Sequence, residues 1–441
     1  MKVTKHLFWV LAITFSHFTV AIPEIEHWVT PNGARVYFVA APEIPIVDIR
    51  FVFSAGSARD AQKPGLANLA SQLAQEGAGD LDSNEFNEQL AQTGAIFSTG
   101  ALRDMAWISL RSLSGEQYLE PALGLLQSVL SRPRFDTEPF ERRRATALIA
   151  LKRDKQSPAA ITSKAFYKEI YGDHPYATPT TGTQTSVESI TLDDVRAFRE
   201  QFYVANNATL AIVGALDKKQ ATALARRLSA GLKPGEKPAN LPPVLPLQAS
   251  VEQFIDHPSI QSHVRIGQPG MKRGDADYFP LLVGNHVLGG SGLVSILFDE
   301  IREKRGLSYS ASSHFSPMAE LGPFAASLQT DNSQAAEAIA VMREEIRKFV
   351  DKGPTAAALD AAKQNLIGGF PLRISSNSRT VEYLTMIGFY DLPLDYLKTF
   401  SSQVAAIRID DVKTAFKRRL DPDKMVLVVV GKKGSDPKSK P

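Results

Sequence analysis

The segment Ser189-Ile190-Thr191-Leu192-Asp193-Asp194-Val195-Arg196 has a second copy 217 residues later, Ala406-Ile407-Arg408-Ile409-Asp410-Asp411-Val412-Lys413. In each copy an acidic residue stands where it suits the start of a helix. A continuous apolar run follows each helix, at 208–213 and 425–430, and each run stops at glycine. Such runs are typical of buried strands. The chain is therefore predicted to repeat a helix–strand unit.

A second pair of similar segments extends the repeat. Phe86-Asn87-Glu88 through Gly94 resembles Phe298-Asp299-Glu300 through Gly306, 212 residues later. Two offsets this close are what one duplication with small insertions leaves behind. The alternative is chance similarity of common helix and strand patterns, which accounts less well for the shared order and spacing. We therefore predict a chain made of two similar halves.

The segment between the halves is rich in proline. Residues 232–248 contain five prolines and no apolar periodicity, which predicts an extended linker. An N-terminal domain then spans 22–231 and a C-terminal domain spans 249–431. Each half mixes strands with long amphipathic helices, so we predict an α+β fold. Two homologous α/β sandwich domains fit this pattern better than a doubly wound parallel sheet.

Composition and charge exclude several classes of function. The 441 residues carry a net charge of +3, and basic residues at the two ends account for it, so the sequence gives little support to nucleic-acid binding. The chain has no cysteine. This excludes thiolate nucleophiles, disulfides, Cys-ligated zinc and iron–sulfur clusters. Any metal would need His, Asp or Glu ligands.

The first residues are typical of an export signal. Lys2 and Lys5 precede a mostly apolar run from Leu7 to Ala21, which is shorter than a membrane span. We predict a signal peptide at 1–21 and no membrane span in the mature protein, with an uncleaved anchor as the alternative. The protein is then exported, to the periplasm where an outer membrane exists and otherwise secreted. The polar tail, 432–441, is predicted to be disordered.

Several motifs together resemble one family. They are Gly56-Ser57-Ala58-Arg59-Asp60, Gly65 through Gln72, Tyr171-Gly172-Asp173-His174-Pro175-Tyr176, Phe202 through Asn207, and Leu297 through Ser310. In this order they resemble the insulinase or pitrilysin family of zinc peptidases over essentially the whole mature chain. The resemblance implies a clamshell of which this chain forms one half.

The zinc motif of that family is degenerate in this chain. The family carries H-x-x-E-H on a helix, with two His at i and i+4 on the metal and a Glu that activates water. Asn68, Ser71 and Gln72 stand at the matching positions. Neutral amides and a hydroxyl are poor zinc donors, and no general base remains. The predicted helix 137–155 should carry the third ligand, but 142–153 contain no acid.

No other histidines rebuild a metal site in the sequence. The mature chain has six, namely His27, His174, His257, His263, His286 and His314, and no two of them are spaced i, i+4. We therefore predict no metal and no cofactor in this chain. If the family chemistry is retained, zinc is expected in a partner subunit.

The second half keeps another feature of the family. There, an Arg and a Tyr seven residues apart reach the active site, bind the substrate backbone and stabilise the oxyanion. The resemblance assigns these roles to Arg302 and Tyr309, with Arg305 as a nearby alternate. From residue types alone, Arg302 is a solvated helix residue and Tyr309 a strand residue packed on the core. The substrate edge strand aligns with Phe97 and Ser98, where backbone pairing tolerates changed side chains.

Two functions from different classes follow. The first is a non-catalytic subunit of an exported heterodimeric zinc peptidase, which supplies Arg302, Tyr309 and a chamber wall while an H-x-x-E-H partner cleaves unfolded peptides. The second is a peptide-binding or scaffold protein of the same fold with no proteolytic role. A self-sufficient peptidase fits the sequence least well, because four functional positions differ together.

Overall fold

The structure is a computed structural model that describes residues 24–432. The predicted signal peptide, 1–21, lies outside these residues, as does all of the predicted tail except Lys432. Within residues 24–432 no helix combines the length and apolarity needed to cross a bilayer. The described chain forms two mixed sheets with helices packed on their faces.

The first sheet has six strands. In chain order they are β1 (Glu26–Val29), β2 (Arg35–Ala40), β3 (Ile46–Phe53), β4 (Ile96–Ala101), β5 (Ala106–Leu113) and β6 (Ala208–Gly214). Their order across the sheet is β1-β2-β6-β3-β5-β4. β2 and β6 pair in parallel, and the other pairs are antiparallel. Every residue of β6 is buried, as its continuous apolar run predicts.

The second sheet repeats this topology without an equivalent of β1. Its strands are β7 (Val251–Asp256), β8 (Gln261–Met271), β9 (Ala311–Phe315), β10 (Gly322–Asp331) and β11 (Val426–Gly431), in the order β7-β11-β8-β10-β9. Here too the first pair, β7 and β11, is parallel and the others are antiparallel. Strand order and direction thus match those of β2-β6-β3-β5-β4. The predicted fold of two homologous α/β domains is confirmed.

Between residue 24 and the linker the structure has eight α-helices. They are α1 (Leu66–Leu73), α2 (Ser83–Thr93), α3 (Glu116–Ser131), α4 (Thr137–Asp154), α5 (Pro158–Tyr171), α6 (Gln184–Ser189), α7 (Leu192–Phe202) and α8 (Lys218–Ser229). A capping box begins α7, in which the backbone amides of Asp194 and Thr191 each donate to the other's side chain. Local sequence therefore fixes where this helix begins.

Seven further α-helices lie between the linker and Lys432. They are α9 (Tyr278–Asn285), α10 (Ile296–Phe298), α11 (Ala335–Lys352), α12 (Ala356–Arg373), α13 (Asn377–Phe389), α14 (Tyr396–Ala406) and α15 (Ile409–Arg419). The bounds of α7 and α15 differ by the 217 residues that separate the two sequence copies. The matching glycines Gly94 and Gly306 both have φ of 64°, a conformation that favours glycine.

Each half contributes one helix to the sheet of the other half. α5 packs on β8 and β11 of the second sheet, and α13 packs on β3 and β6 of the first. The contact of α13 is close, because a Cβ on Gly388 would lie 2.4 Å from the Tyr37 ring. The two sheets are thus joined by packed helices as well as by the linker.

The segment predicted as the linker has no helix or strand. From Ala230 to Ser250 the chain is irregular, yet parts of it are packed. Val244 is buried, and the carbonyl of Pro242 lies 2.8 Å from His174 Nε2. His174 thus has the structural hydrogen bond that a histidine in a turn can provide. The linker lies against the body of the protein.

Candidate functional site

A buried aspartate sets the start of the helix that carries the degenerate motif. The Asp60 carboxylate accepts hydrogen bonds from the backbone amides of Gly65 and Ala67, both 2.7 Å long. These amides belong to the first turn of α1, which has no carbonyl partners for them. Burial raises the pKa of Asp60 to about 7 although the backbone hydrogen bonds act against it. The motif helix is therefore held by a side chain outside it.

The three motif residues make no metal-binding arrangement. Gln72 Nε2 donates to Asn68 Oδ1 at 2.5 Å, so the two amides at i and i+4 satisfy each other. Ser71 is 1% exposed, and its hydroxyl has no hydrogen-bond partner among residues 24–432. A hydroxyl in this position cannot activate water as a carboxylate does. The helix thus keeps its place but lacks the groups for the chemistry.

The opposite wall of this site is also poor in ligands. Asn68 and Gln72 face a cavity of about 240 Å³ whose other wall includes Thr146, Ala150 and Asp154 of α4. Asp154 is the only carboxylate among the residues that line it, and it accepts from Lys164 Nζ at 2.9 Å. Within the described part of the chain no three His, Cys, Asp or Glu side chains cluster as metal ligands would. The residues present do not fit zinc.

The sequence interpretation missed Asp154 because it stopped one residue short. Asp154 is the last residue of α4, four positions after Ala150, so helical spacing places both on one face. That spacing was the available signal. A single carboxylate already paired with Lys164 adds no metal site.

An ion-pair cluster joins the motif helix to α4. Glu76, just after α1, accepts from Arg143 Nε and Arg142 Nη2, both at 2.5 Å, and from Ser83 Oγ at 2.6 Å. Glu76 is 4% exposed. Burial opposes its ionisation, but the Ser83 hydroxyl and the two guanidinium groups outweigh burial and hold the pKa of Glu76 below its usual value. Charge pairing thus connects two helices that would otherwise share a metal.

The predicted substrate strand lies at an edge of the first sheet. β4 ends the sheet order, so its outer edge pairs with no other strand in residues 24–432. The Phe97 ring packs edge-on against Phe86 of α2, with centres 5.8 Å apart, while Ser98 is exposed. Phe97 therefore helps to hold the strand. The outer backbone groups of β4 remain available for pairing.

Arg302 and Tyr309 lie together in the second half. Arg302 belongs to a π-helical turn, Asp299–Glu303, and its guanidinium carbon lies 5.3 Å from the centre of the Tyr309 ring. Tyr309 is outside any strand and 83% exposed, so packing on the core does not explain it. Among residues 24–432 no carboxylate forms a salt bridge with Arg302. The Arg302 guanidinium thus lies beside an exposed phenol ring and has no carboxylate partner within the described residues.

The backbone that carries Tyr309 is fixed by hydrogen bonds. Ser308 Oγ donates to the carbonyl of Gln329 at 2.7 Å and accepts from the amide of Ser310 at 3.2 Å. The preceding residue, Leu307, is 3% exposed, and its amide donates to the carbonyl of Ile301 at 2.9 Å. The loop therefore presents an exposed aromatic side chain from a fixed position.

Arg305, the alternate for the arginine role, is engaged with its own turn. Its Nη1 donates to both the carboxylate and the carbonyl of Glu300, each at 2.6 Å. The side chains of Arg302 and Arg305 therefore differ in availability, which sequence spacing does not reveal. The zinc-motif residues and the Arg302–Tyr309 pair lie in different halves of the structure. The motif helix α1 contacts α4, α7, β4 and β5, while the turn that carries Arg302 contacts α10 and α11.

Comparison with known proteins now gives the family. A model described as insulinase (peptidase family M16) matches residues 35–184, and a model described as peptidase M16 inactive domain matches residues 189–366. The chain belongs to the peptidase M16 family. The resemblance inferred from the motifs is confirmed. The matches cover both halves, so the M16 assignment accounts for both sheets.

Individual M16 relatives differ in name. The crystal structure of a peptidase M16 inactive domain from Pseudomonas fluorescens is 37% identical, with a TM-score of 0.90, over 92% of this chain and 98% of that chain. A non-peptidase homolog, YmxG, from Helicobacter pylori is 26% identical over 89% of this chain and 90% of its own length. An uncharacterized zinc protease from Rickettsia felis is 24% identical over 73% and 77%. Some of these names describe an inactive protein and one describes a zinc protease. The chemistry of this chain must therefore be inferred from its own residues.

Proposed function

We propose that this M16 chain is the non-catalytic subunit of an exported two-chain peptidase. It supplies Arg302 and Tyr309, with a chamber wall, to a peptide that an H-x-x-E-H partner cleaves. The observation that carries the proposal is the contrast between the two halves. Asn68, Ser71 and Gln72 do not fit zinc, whereas Tyr309 is 83% exposed on a fixed loop beside Arg302.

The chemistry of the pair supports this role. A guanidinium and a phenol donate hydrogen bonds to a peptide carbonyl, and those bonds strengthen as negative charge develops on the oxygen. Proximity of the cation to the ring, within about 6 Å, aligns both groups on one surface. Such a pair does no proteolysis without a nucleophile. The zinc and the water-activating base must therefore come from the partner, and unfolded peptide is the substrate class.

The test is a reconstitution assay with a quenched unstructured peptide. It compares this chain alone, an H-x-x-E-H chain from the same genome alone, and the mixture. We expect activity only in the mixture, reduced about a hundredfold by Tyr309→Phe and by Arg302→Ala, because each removes one oxyanion donor. Tyr118→Phe, an exposed tyrosine on α3, is the matched control and keeps full activity. Arg305→Ala is expected to keep most activity, because Glu300 already binds that guanidinium.

The alternative function is peptide binding or scaffolding without proteolysis. The outer edge of β4, which pairs with no other strand in residues 24–432, favours it, since an extended peptide can add to a sheet edge through backbone groups alone. Ser98 and Phe97 lie on this edge. A mixture without activity, together with saturable binding of the labelled peptide by this chain alone, would select this function.

Export is tested by the mass of the protein in the periplasmic fraction, whose N-terminus should begin after Ala21.

A further inference from the structure

A basic cavity lies on the first half and shares no lining residue with the cavity that Asn68 and Gln72 face. It has a volume of about 370 Å³ and lies between the end of α3, the residues after it, and α7. Five basic side chains and one carboxylate, Glu200, line it together with apolar groups; the basic ones are Arg132, Arg134, Arg196, Arg199 and Lys233. A cavity of this size and mixed polarity suits a small molecule. Its charge suits an anion.

Arg199 is the buried member of this set. It is 6% exposed, and its Nη2 donates to the carbonyl of Val129 at 2.8 Å, at the end of α3. Its Nη1 is buried and has no hydrogen-bond partner in residues 24–432, and no carboxylate there forms a salt bridge with it. Burial lowers the pKa of Arg199 to about 10, so it remains charged at neutral pH. A buried cation without a counter-charge is costly.

A second buried donor lies beside it. The Tyr203 ring centre is 4.1 Å from the Arg199 guanidinium carbon, and Tyr203 is 5% exposed. The Tyr203 hydroxyl is buried and has no hydrogen-bond partner within the described residues. Buried polar groups are nearly always paired, so two unpaired donors on two residues that line one cavity call for an explanation.

The remaining cations are paired at the surface. Arg196 pairs with Asp193 at 3.0 Å, Arg134 with Asp136 at 2.6 Å, and Lys233 with Glu200 at 3.0 Å. Arg132 is 4.0 Å from Asp80. Exposed ion pairs of this kind contribute little to stability, and water readily replaces either partner. The carboxylates of these pairs are engaged with other cations, and none of them forms a salt bridge with Arg199.

The second half shows that the fold does not need this pair. At the 217-residue offset, Arg199 matches Phe416 and Tyr203 matches Leu420, which are 0% and 3% exposed. The Phe416 ring packs against Phe349 of α11, with centres 4.8 Å apart. Apolar side chains thus fill the same place in the duplicated helix α15. The polar pair at the end of α7 therefore has no polar counterpart in the second half, and the bonds of Arg199 Nη2 to the end of α3 leave its Nη1 unpaired among the described residues.

We propose that this cavity binds a small oxyanion, the phosphate or carboxylate group of a small molecule, through Arg199 Nη1 and the Tyr203 hydroxyl. A guanidinium matches the geometry of both groups and forms charge-assisted hydrogen bonds with them. The Tyr203 hydroxyl adds one more hydrogen-bond donor beside the guanidinium. The site is separate from the Arg302 and Tyr309 surface and does not depend on peptidase function.

The test is calorimetric titration of the full chain with sodium phosphate and with sodium acetate at constant ionic strength set by sodium chloride. We expect at least one probe to bind with 1:1 stoichiometry and to reach saturation at a probe concentration of roughly ten millimolar. Saturation by phosphate alone assigns a phosphate group, and saturation by acetate alone assigns a carboxylate. Tyr203→Phe should weaken binding about tenfold, and Arg199→Leu should abolish it.

Controls keep the result specific. Arg347→Leu removes an exposed arginine paired with Asp423 in the second half and should leave binding unchanged. Because Arg199 is buried, folding of its variant is checked by circular dichroism, and Tyr203→Phe keeps the ring in place if the arginine variant fails to fold. Absence of saturable binding for both probes overturns the proposal. The proposal is also overturned if Tyr203→Phe binds the probe as tightly as wild type and Arg347→Leu loses as much binding as Arg199→Leu.

Discussion

Asp104 joins the two halves of the protein, and its replacement should destabilise the whole chain. The residue is 6% exposed in the turn between β4 and β5. Its Oδ1 accepts from the Tyr176 hydroxyl, while its Oδ2 accepts from the Tyr390 hydroxyl at 2.9 Å and from the Ala319 amide at 2.8 Å. Tyr390 and Ala319 belong to the second half, so one carboxylate binds both halves.

The magnitude follows from the number of hydrogen bonds lost. A hydrogen bond to a charged group contributes about 1.5–3 kcal/mol. Tyr390→Phe removes one and should lower the free energy of unfolding by about 2 kcal/mol. Asp104→Ala removes both carboxylate oxygens, so the Tyr390 hydroxyl and the Ala319 amide lose their acceptor, as does the Tyr176 hydroxyl. The two bonds to the second half alone set the expected cost at about 4 kcal/mol or more.

The assay is urea denaturation at pH 7 followed by circular dichroism, with Tyr118→Phe as the exposed-tyrosine control. The control should lie within about 0.5 kcal/mol of wild type. Asp104→Ala should shift the midpoint at least about twice as far as Tyr390→Phe at an unchanged slope. A loss for Asp104→Ala no larger than that for Tyr390→Phe would refute the reasoning, because it would mean that the second-half donors do not depend on this carboxylate.

Three further predictions concern the other sites. Glu76→Gln should lower stability at pH 7 by about 2–3 kcal/mol, since it breaks a buried ion pair whose partners are partly exposed. The pKa of Glu76 is lowered on folding, so this stabilisation is present above the ordinary carboxyl pKa and is lost as pH falls through the lowered value. The urea midpoints of wild type and Glu76→Gln should therefore converge in acid. The double change Asn68→His and Gln72→His should bind zinc with about micromolar affinity, whereas wild type and Ser71→Glu should bind none by elemental analysis; equal zinc in wild type would contradict the site assignment. Ser308→Ala should reduce activity of the reconstituted peptidase about tenfold with little loss of stability, and unchanged activity would show that the loop needs no such support.

Several features of the fold were predictable because they depend on local pattern. The capping residue Thr191 and the apolar run in β6 are readable within a few positions of the chain. The duplication followed from similarity at a fixed offset, and the matching strand orders confirm it. The residue types at Asn68 and Gln72 likewise indicated a failed zinc site, since ligand chemistry depends on identity before geometry.

Other features required the tertiary structure. Periodicity shows which face of α5 or α13 is buried but not that each helix packs on the sheet of the opposite half. Spacing nominated both Arg302 and Arg305, and only the contact with Glu300 separates them.

By itself, then, the sequence determined that this protein is a duplicated α+β chain of the M16 family whose zinc ligands are replaced. Only the tertiary structure decided that Tyr309 is exposed on a fixed loop, that Asp104 binds both halves, and that Arg199 and Tyr203 share a basic cavity with the end of α3. The physical reason is the range of the interactions. Local pattern fixes helices, strands and chemical identity, whereas burial and pairing depend on residues far apart in the chain, 286 positions in the case of Asp104 and Tyr390.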